Sequence, residues 1–360
     1  MEEVVKKCFG QDNFILIDRA FLGLYASFIN IKKKSGKRKV IFTSTTCPSP
    51  VFAAVFAGLE PVFTDINLND FLMDYDELEH LINNGSNDIA AVVYIYIFGH
   101  ISEDIFKIRN LTKNKNVYLI EDVAQGFGCE VKEIKAGFIG DLSVFSFGHS
   151  KQIDAGNGGV LFINSEEFSR GELNDEIKNI KRYDPNAELA LKYSEEFYAF
   201  RKKALDDNEL FKLYNEFPNK YKELYFQKIN VDWVLVRDKL EYFISHKMKQ
   251  VRNERANKYH RGFMNSPYKD KMVLPNITDG ASIYRYTFLV ENKETAHGLS
   301  NHLRSHDIHC SNLYIPVSRF YQSKGFNHAV NFAERVINLW VDDIADDEYI
   351  EKTIKLITNF

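Results

Sequence analysis

The chain has 360 residues, 45% of them hydrophobic, and a formal net charge of −4: long enough for two domains or for one large α/β domain with an appendage. This balance gives no general attraction to nucleic acid or to an anionic membrane, and no run approaches the roughly 18 apolar residues of a membrane span. Cys8, Cys47, Cys129 and Cys310 are scattered, with no C-x-x-C pair and no histidine at zinc-ligand spacing. With no apolar leader in MEEVVKKCFGQDNF, this predicts no metal site and a reducing, cytoplasmic setting.

From residue 12 to 165, short apolar runs alternate with amphipathic stretches. NFILID, VIFTST, PVFTDI, IAAVVYIYIF, VYLIED, LSVFSF and GGVLFI read as strands, with PVFAAVFAGL and DYDELEHLI as helices among them. Runs apolar on both faces suit a sheet covered by helices on each side, so an α/β fold with a mostly parallel sheet is predicted. Only one loop separates the last two runs, which allows part of the sheet to be antiparallel. The basic run KKKSGKRK, Lys32 to Lys39, contains a Ser-Gly break and reads as a solvated loop. Residues 166–225 turn to charged, Tyr- and Phe-bearing helical sequence, a helical insertion in a large domain of residues 1–240. Residues 229–262 read as one long helix or a helix with a single break. A smaller α+β domain, 241–360, follows, with YRYTFLV and VINLWV as strands and TAHGLSNHLRSHD and DDEYIEKTIKLI as helices.

Two charges stand out within this pattern. Asp122 ends VYLIED, and Lys151 lies beyond LSVFSF in a Ser- and Gly-rich loop. Desolvating either costs on the order of several kcal/mol without a partner. An acid at a strand's carboxyl end sits where ligands bind in open α/β sheets; the competing reading makes Asp122 the N-cap of a following helix. A loop lysine is removed from charged helix faces, and burial favours the neutral amine that imine formation requires. Pyridoxal phosphate would satisfy both, its pyridine nitrogen pairing with the acid and its aldehyde with the lysine. Gly156, Gly158 and Gly159 make a weak phosphate motif without a following helix. They read instead as letting the backbone pass close to the lysine loop. His149 reads as structural or as an edge of the substrate site.

Taken together, E-D-x-A-Q at 121–125, G-x-x-G-D-x-x-x-F-S-F at 137–147, Lys151 and G-x-G-G at 156–159 resemble the signature of the DegT/StrS group of pyridoxal phosphate-dependent sugar aminotransferases. Their fold is similar to that of aspartate aminotransferase, fold type I: a large domain with a mostly parallel mixed sheet and a smaller α+β domain. TSTTCPSPVFAAVFAGLEPVFTDI upstream, and YRYTFLV, Tyr314-Ile315-Pro316 and the closing helix downstream, extend the resemblance. It implies that Lys151 is the Schiff-base lysine and, once released, the acid/base that moves a proton between Cα and C4′. It further implies that Asp122 pairs with the pyridine nitrogen, Gln125 lies near the phenolic oxygen and Ser146 binds the phosphate.

Three places depart from the group's pattern. Where relatives carry a Ser-Gly-Thr-Ala phosphate turn, this chain has Ile17-Asp18-Arg19-Ala20, so that Arg19 either contacts the phosphate beside the helix start at Ala20 or pairs with Asp18. Cys47 stands at the place of the ring-stacking aromatic. An Asn-x-Arg motif that reaches the partner subunit's phosphate is absent, leaving only Asn230 in YFQKINVDW. The resemblance implies transfer of an amino group, from L-glutamate, to a keto group of a nucleotide-linked sugar for surface polysaccharide or glycoconjugate synthesis, by a homodimer. Tyr314 and Arg285 are expected near the acceptor. Open alternatives are a transaminase of a smaller keto-phosphate, a sugar dehydratase (against which the lysine stands) and a non-catalytic cofactor-binding regulator.

Overall fold

Every apolar run of the N-terminal half becomes a strand. The computed structural model describes residues 1–84, 87–207, 210–214, 216–322 and 325–360. In chain order the strands are β1 (Phe14–Ile17), β2 (Lys39–Thr43), β3 (Glu60–Thr64), β4 (Ile89–Ile95), β5 (Tyr118–Asp122), a small hairpin of β6 (Glu130–Val131) and β7 (Ile134–Lys135), β8 (Leu142–Ser146) and β9 (Gly159–Ile163). The main sheet has the order β1-β9-β8-β5-β4-β2-β3. Only β9 runs against its neighbours, pairing antiparallel with β1 and β8; the remaining pairs are parallel. The antiparallel exception thus falls where two runs share one loop. Strands β4 and β9 are buried along their whole length, as continuous apolar runs between two helical layers must be.

The helices of this half are α1 (Glu2–Phe9), α2 (Ala20–Ser35), α3 (Pro48–Phe56), α4 (Tyr75–Asn84) and α5 (Asp104–Asn114). The basic run forms the last turn of α2 and its exit through Gly36, whose φ of 65° ends the helix. Among the described residues the insertion's helices are α6 (Arg170–Lys178), α7 (Ala187–Lys203), α8 (Leu210–Tyr214), α9 (Phe217–Lys220) and α10 (Lys222–Tyr225), with an irregular stretch at 179–186 that bridges from Tyr183 to Gln227. Next come α11 (Trp233–Ser245) and α12 (Met248–Met264), separated at Lys247, which adopts φ 49° and ψ 44°. Of the two readings of 229–262, the broken helix is the one formed.

The C-terminal part contains β10 (Arg285–Leu289), α13 (Lys293–Ser305), β11 (Cys310–Ser311), α14 (Asn327–Arg335), β12 (Val336–Trp340) and α15 (Asp347–Thr358). Its three strands form an antiparallel sheet in the order β10-β12-β11. Two apolar cores result. The first fills the seven-stranded sheet and its helices and reaches Val317, Phe320 and Phe332. The second lies between α12, α13, α15 and the small sheet, with Tyr259, Phe288 and Leu339 fully buried.

Candidate cofactor site

The parallel strands end on one edge of the sheet, and the chain just beyond those ends carries the polar residues. Arg19 and Ala20 follow β1, Cys47 follows β2, Asp122 closes β5 and Gln125 follows it, Ser146 closes β8, and Lys151 lies in the β8–β9 loop. All seven line one cavity of about 240 Å³. Gly159 permits this crowding: a Cβ there would lie 2.4 Å from the Phe145 carbonyl oxygen and 3.3 Å from the Ala20 nitrogen. Gly159 thus serves close backbone approach to β8 and the start of α2, whereas Gly156 faces the His149 ring and Gly158 the side chains of Val231, Phe147 and Val236.

Asp122 is 5% exposed. Among the described residues its carboxylate accepts one hydrogen bond, from the Ala124 N–H to Oδ1 at 3.0 Å, and forms no ion pair. Turns, not a helix, follow β5, so Asp122 is no N-cap. Burial raises its pKa; the Ala124 bond and the positive charge of Lys151 oppose the rise. The same lysine charge acts on the Cys47 thiol, whose pKa is likewise raised by burial. Cys47 is the N-cap residue of α3 but does not cap it through its side chain. Glu121, on the opposite face of β5, is fully buried and saturated: it accepts from Tyr96 Oη and from the N–H groups of Gly137 (2.7 Å), Ile139 (2.7 Å) and Gly140 (2.5 Å). Ser146 Oγ accepts from the Gly148 N–H at 3.3 Å. His149 is exposed, with Nδ1 3.8 Å from Asp154.

At the start of α2, Arg19 and Asp18 do not pair with each other. Asp18 Oδ2 accepts from Arg182 Nη2 at 2.5 Å, while Arg19 Nη1 donates to the Leu224 carbonyl at 3.0 Å. No side chain caps the first turn of α2, which leaves its amides available to an anion. The surface pair considered from the sequence is thus replaced by two links to the insertion. The insertion also brings Tyr225 into the cavity wall, where its hydroxyl meets that of Tyr193 at 3.0 Å. Nothing in the local sequence marks Tyr225 or Arg182; the Tyr- and Phe-rich character of 166–225 was the only available signal. Asn230 is exposed.

Gln125 spans two parts of the molecule. Its Oε1 accepts from the Phe98 N–H at 2.9 Å and its Nε2 donates to Tyr314 Oη at 2.8 Å. Tyr314 therefore reaches a residue of the cavity wall, Gln125. Arg285 lines a second cavity, of about 370 Å³, that shares Lys151 with the first. Its guanidinium lies between the rings of Tyr284 and Trp340, 4.3 and 4.2 Å from their centroids, and 3.1 Å from Asp342.

The residues present fit pyridoxal phosphate. One cavity is lined by an unpaired, buried carboxylate and by a guanidinium with no ion pair among the described residues, and the two do not neutralise each other. A ligand that offers a protonated ring nitrogen and a phosphate satisfies both.

A family model for the DegT/DnrJ/EryC1/StrS aminotransferase family matches residues 1–181. The UDP-4-amino-4,6-dideoxy-N-acetyl-beta-L-altrosamine transaminase of Campylobacter jejuni (serotype O:23/36, strain 81-176) is 33% identical over 169 residues, 46% of this chain and 43% of that protein. The GDP-perosamine synthase of Escherichia coli O157:H7 is 32% identical over 128 residues, 36% of this chain and 34% of that protein. The aligned region thus spans less than half the length of these curated relatives. The crystal structure of the aminotransferase TlmJ from Streptoalloteichus hindustanus shares the fold, with a TM-score of 0.74 over 99% of this chain and 88% of that one at 18% identity. The family match runs from α1 through α6 and takes in every strand of the seven-stranded sheet, and the chain belongs to the DegT/DnrJ/EryC1/StrS aminotransferase family.

Proposed function

We propose that the protein is a pyridoxal phosphate-dependent aminotransferase that moves an amino group, from L-glutamate, to a keto group of a nucleotide-linked sugar. The observation that carries this reading is the cavity in which a buried Asp122, with no ion pair among the described residues, and the loop Lys151 converge. When bound, the cofactor supplies an electron sink for the carbanion left by deprotonation at Cα. The chain supplies the rest. The Asp122 carboxylate keeps a proton on the ring nitrogen. The Lys151 amine would hold the cofactor's aldehyde carbon and, when free, would be the acid/base that moves the proton between Cα and C4′. Ser146 Oγ, Arg19 and the first turn of α2 from Ala20 onward hold the phosphate. Gln125, fixed by Phe98 and Tyr314, would contact the phenolic oxygen, and Cys47, which lines the same cavity, would lie near the ring.

The named activities of the two relatives, both on nucleotide-linked amino sugars, support the sugar acceptor. The shared wall at Lys151 supports Arg285 as a contact for an anionic group of a substrate. A homodimer is supported by the apolar face that α11 leaves exposed, at Val234, Tyr242 and Ile244. The reading includes a cytoplasmic role in making surface polysaccharide or glycoconjugate precursors, and a division into a large and a small domain, which the two cores support.

The test is optical. The purified protein, supplied with pyridoxal phosphate, develops a visible absorption band that is absent in Lys151→Ala and bleaches when L-glutamate is added. A protein that takes up no cofactor, or whose band no amino acid alters, sinks the assignment.

A further inference from the structure

Asp18, Arg19 and Arg182 form a charge cluster at the first turn of α2. Arg182 Nη2 donates both to Asp18 Oδ2 at 2.5 Å and to the Gln227 carbonyl at 2.7 Å. Arg19, the next residue after Asp18, donates to the Leu224 carbonyl and forms no ion pair among the described residues. Two guanidiniums therefore lie near one carboxylate that only Arg182 engages, and Arg182 Nε is buried without a partner. Burial and the nearby Arg182 charge hold the Arg19 pKa below its ordinary value, against a smaller opposing effect of Asp18. Excess positive charge in a part-buried place is costly unless an anion joins it. Arg19, Ala20 and Ser146 all face the cavity assigned above to the cofactor, and among the groups a pyridoxal cofactor offers, the phosphate is the anion that matches this excess.

Resting on that assignment, we propose that Arg182 is a positioning residue for the cofactor's phosphate: by engaging Asp18 it leaves Arg19 without a competing carboxylate, free to bind the phosphate at the first turn of α2. Arg182 belongs to the insertion and is the first residue beyond the segment that the family model matches. The insertion thereby tunes the anion end of the site from within the same chain. Were Arg182 absent, Asp18 would turn to its neighbour Arg19, and a carboxylate would stand where the phosphate must bind.

The experiment compares pyridoxal phosphate with pyridoxal, which lacks the phosphate, in spectrophotometric titrations of the cofactor-free protein. Bonding of either aldehyde to Lys151 gives the signal. In Arg182→Leu, affinity for pyridoxal phosphate falls by about 10- to 100-fold, the scale of one charge-assisted contact, and affinity for pyridoxal does not change. The double variant Asp18→Asn/Arg182→Leu regains affinity for the phosphate ester, because the competing carboxylate is gone. Undiminished binding by Arg182→Leu overturns the proposal, as does a double variant that regains nothing, since Arg182 is then only a tether for the insertion. Should Arg182→Leu fail to fold, Arg182→Gln, which removes the charge and keeps an N–H donor for the Gln227 carbonyl, decides instead: weaker binding of pyridoxal phosphate with pyridoxal unchanged supports the proposal, and undiminished binding overturns it. A wild-type protein that reacts with neither aldehyde refutes the cofactor assignment itself, a separate outcome.

Discussion

Glu121 and Asp122 are consecutive acids with different fates, because a strand sends successive side chains to opposite faces. Glu121 points to where the turn at 137–140 offers three N–H groups and Tyr96 a hydroxyl. An amide at this position has only one acceptor oxygen, so Glu121→Gln leaves buried donors unpaired and costs roughly 2–5 kcal/mol, measurable as a lower urea midpoint. Asp122 points into the cavity and has one bond. Its pKa is raised by burial, so the folded chain holds the proton more tightly than the unfolded chain does. The stability this confers is complete below about pH 4, the ordinary aspartate value, and is lost as pH rises through the folded pKa. Asp122→Asn should therefore raise the melting temperature of the cofactor-free protein at neutral pH, with a difference that narrows on acidification. Equal melting temperatures at every pH would contradict the burial argument. Both acids were visible in the sequence as a strand-end pair; which one was saturated was not, since the turn that saturates Glu121 lies 16 to 19 residues away.

The elements of the N-terminal half were legible because each apolar run is itself the strand. The insertion was legible only as helical. Its work is done through aromatic contacts with distant segments: Phe200 stacks on Phe320 at 3.9 Å between centroids, and Tyr225 packs on Phe21 at 5.0 Å and Phe52 at 5.6 Å. Phe320 is 1% exposed and sits six residues beyond Tyr314, so the insertion links the start of the cofactor cavity to the segment that meets Gln125. Phe320→Ala should cost about 3–5 kcal/mol and speed hydrogen exchange in α7 and in residues 312–321 while leaving α12 and α15 protected. Equal loosening of α12 and α15 would mean that Phe320 supports the whole fold and not this link. The break between α11 and α12 had no proline or glycine to announce it. Phe243 and Met248, on either side, both enter the first core, and Lys247 takes the left-handed conformation that lets them do so.

At the level of the molecule, the two sheets are joined by backbone bonds at close range. Ser282 N–H donates to the Gly99 carbonyl at 3.0 Å, Tyr284 N–H to that of Phe98 at 2.8 Å, and Val317 N–H to that of Ser44 at 2.7 Å. Gly99 has φ 81°, and a Cβ there would come within 1.9 Å of the Ser282 carbonyl oxygen. Gly99→Ala is thus both strained and obstructed, and should destabilise by more than about 1 kcal/mol while weakening the Gln125–Tyr314 contact across the same junction. A lowered melting temperature together with reduced cofactor affinity is the expected result; an unchanged melting temperature would show that the junction can shift at no cost.

The sequence by itself determined the strands, their alternation with helices, and the strand ends that carry Arg19, Cys47, Asp122, Ser146 and Lys151. These are local properties: apolar periodicity spans a few residues, and a strand's end is fixed by the strand. Only the tertiary structure decided which charges are paired. Asp18 meets Arg182 across 164 residues, Gln125 meets Tyr314 across 189, and Arg19 meets the Leu224 carbonyl across 205. A charge's worth depends on everything that encloses it, and that enclosure is assembled from segments whose sequences carry no mark of one another.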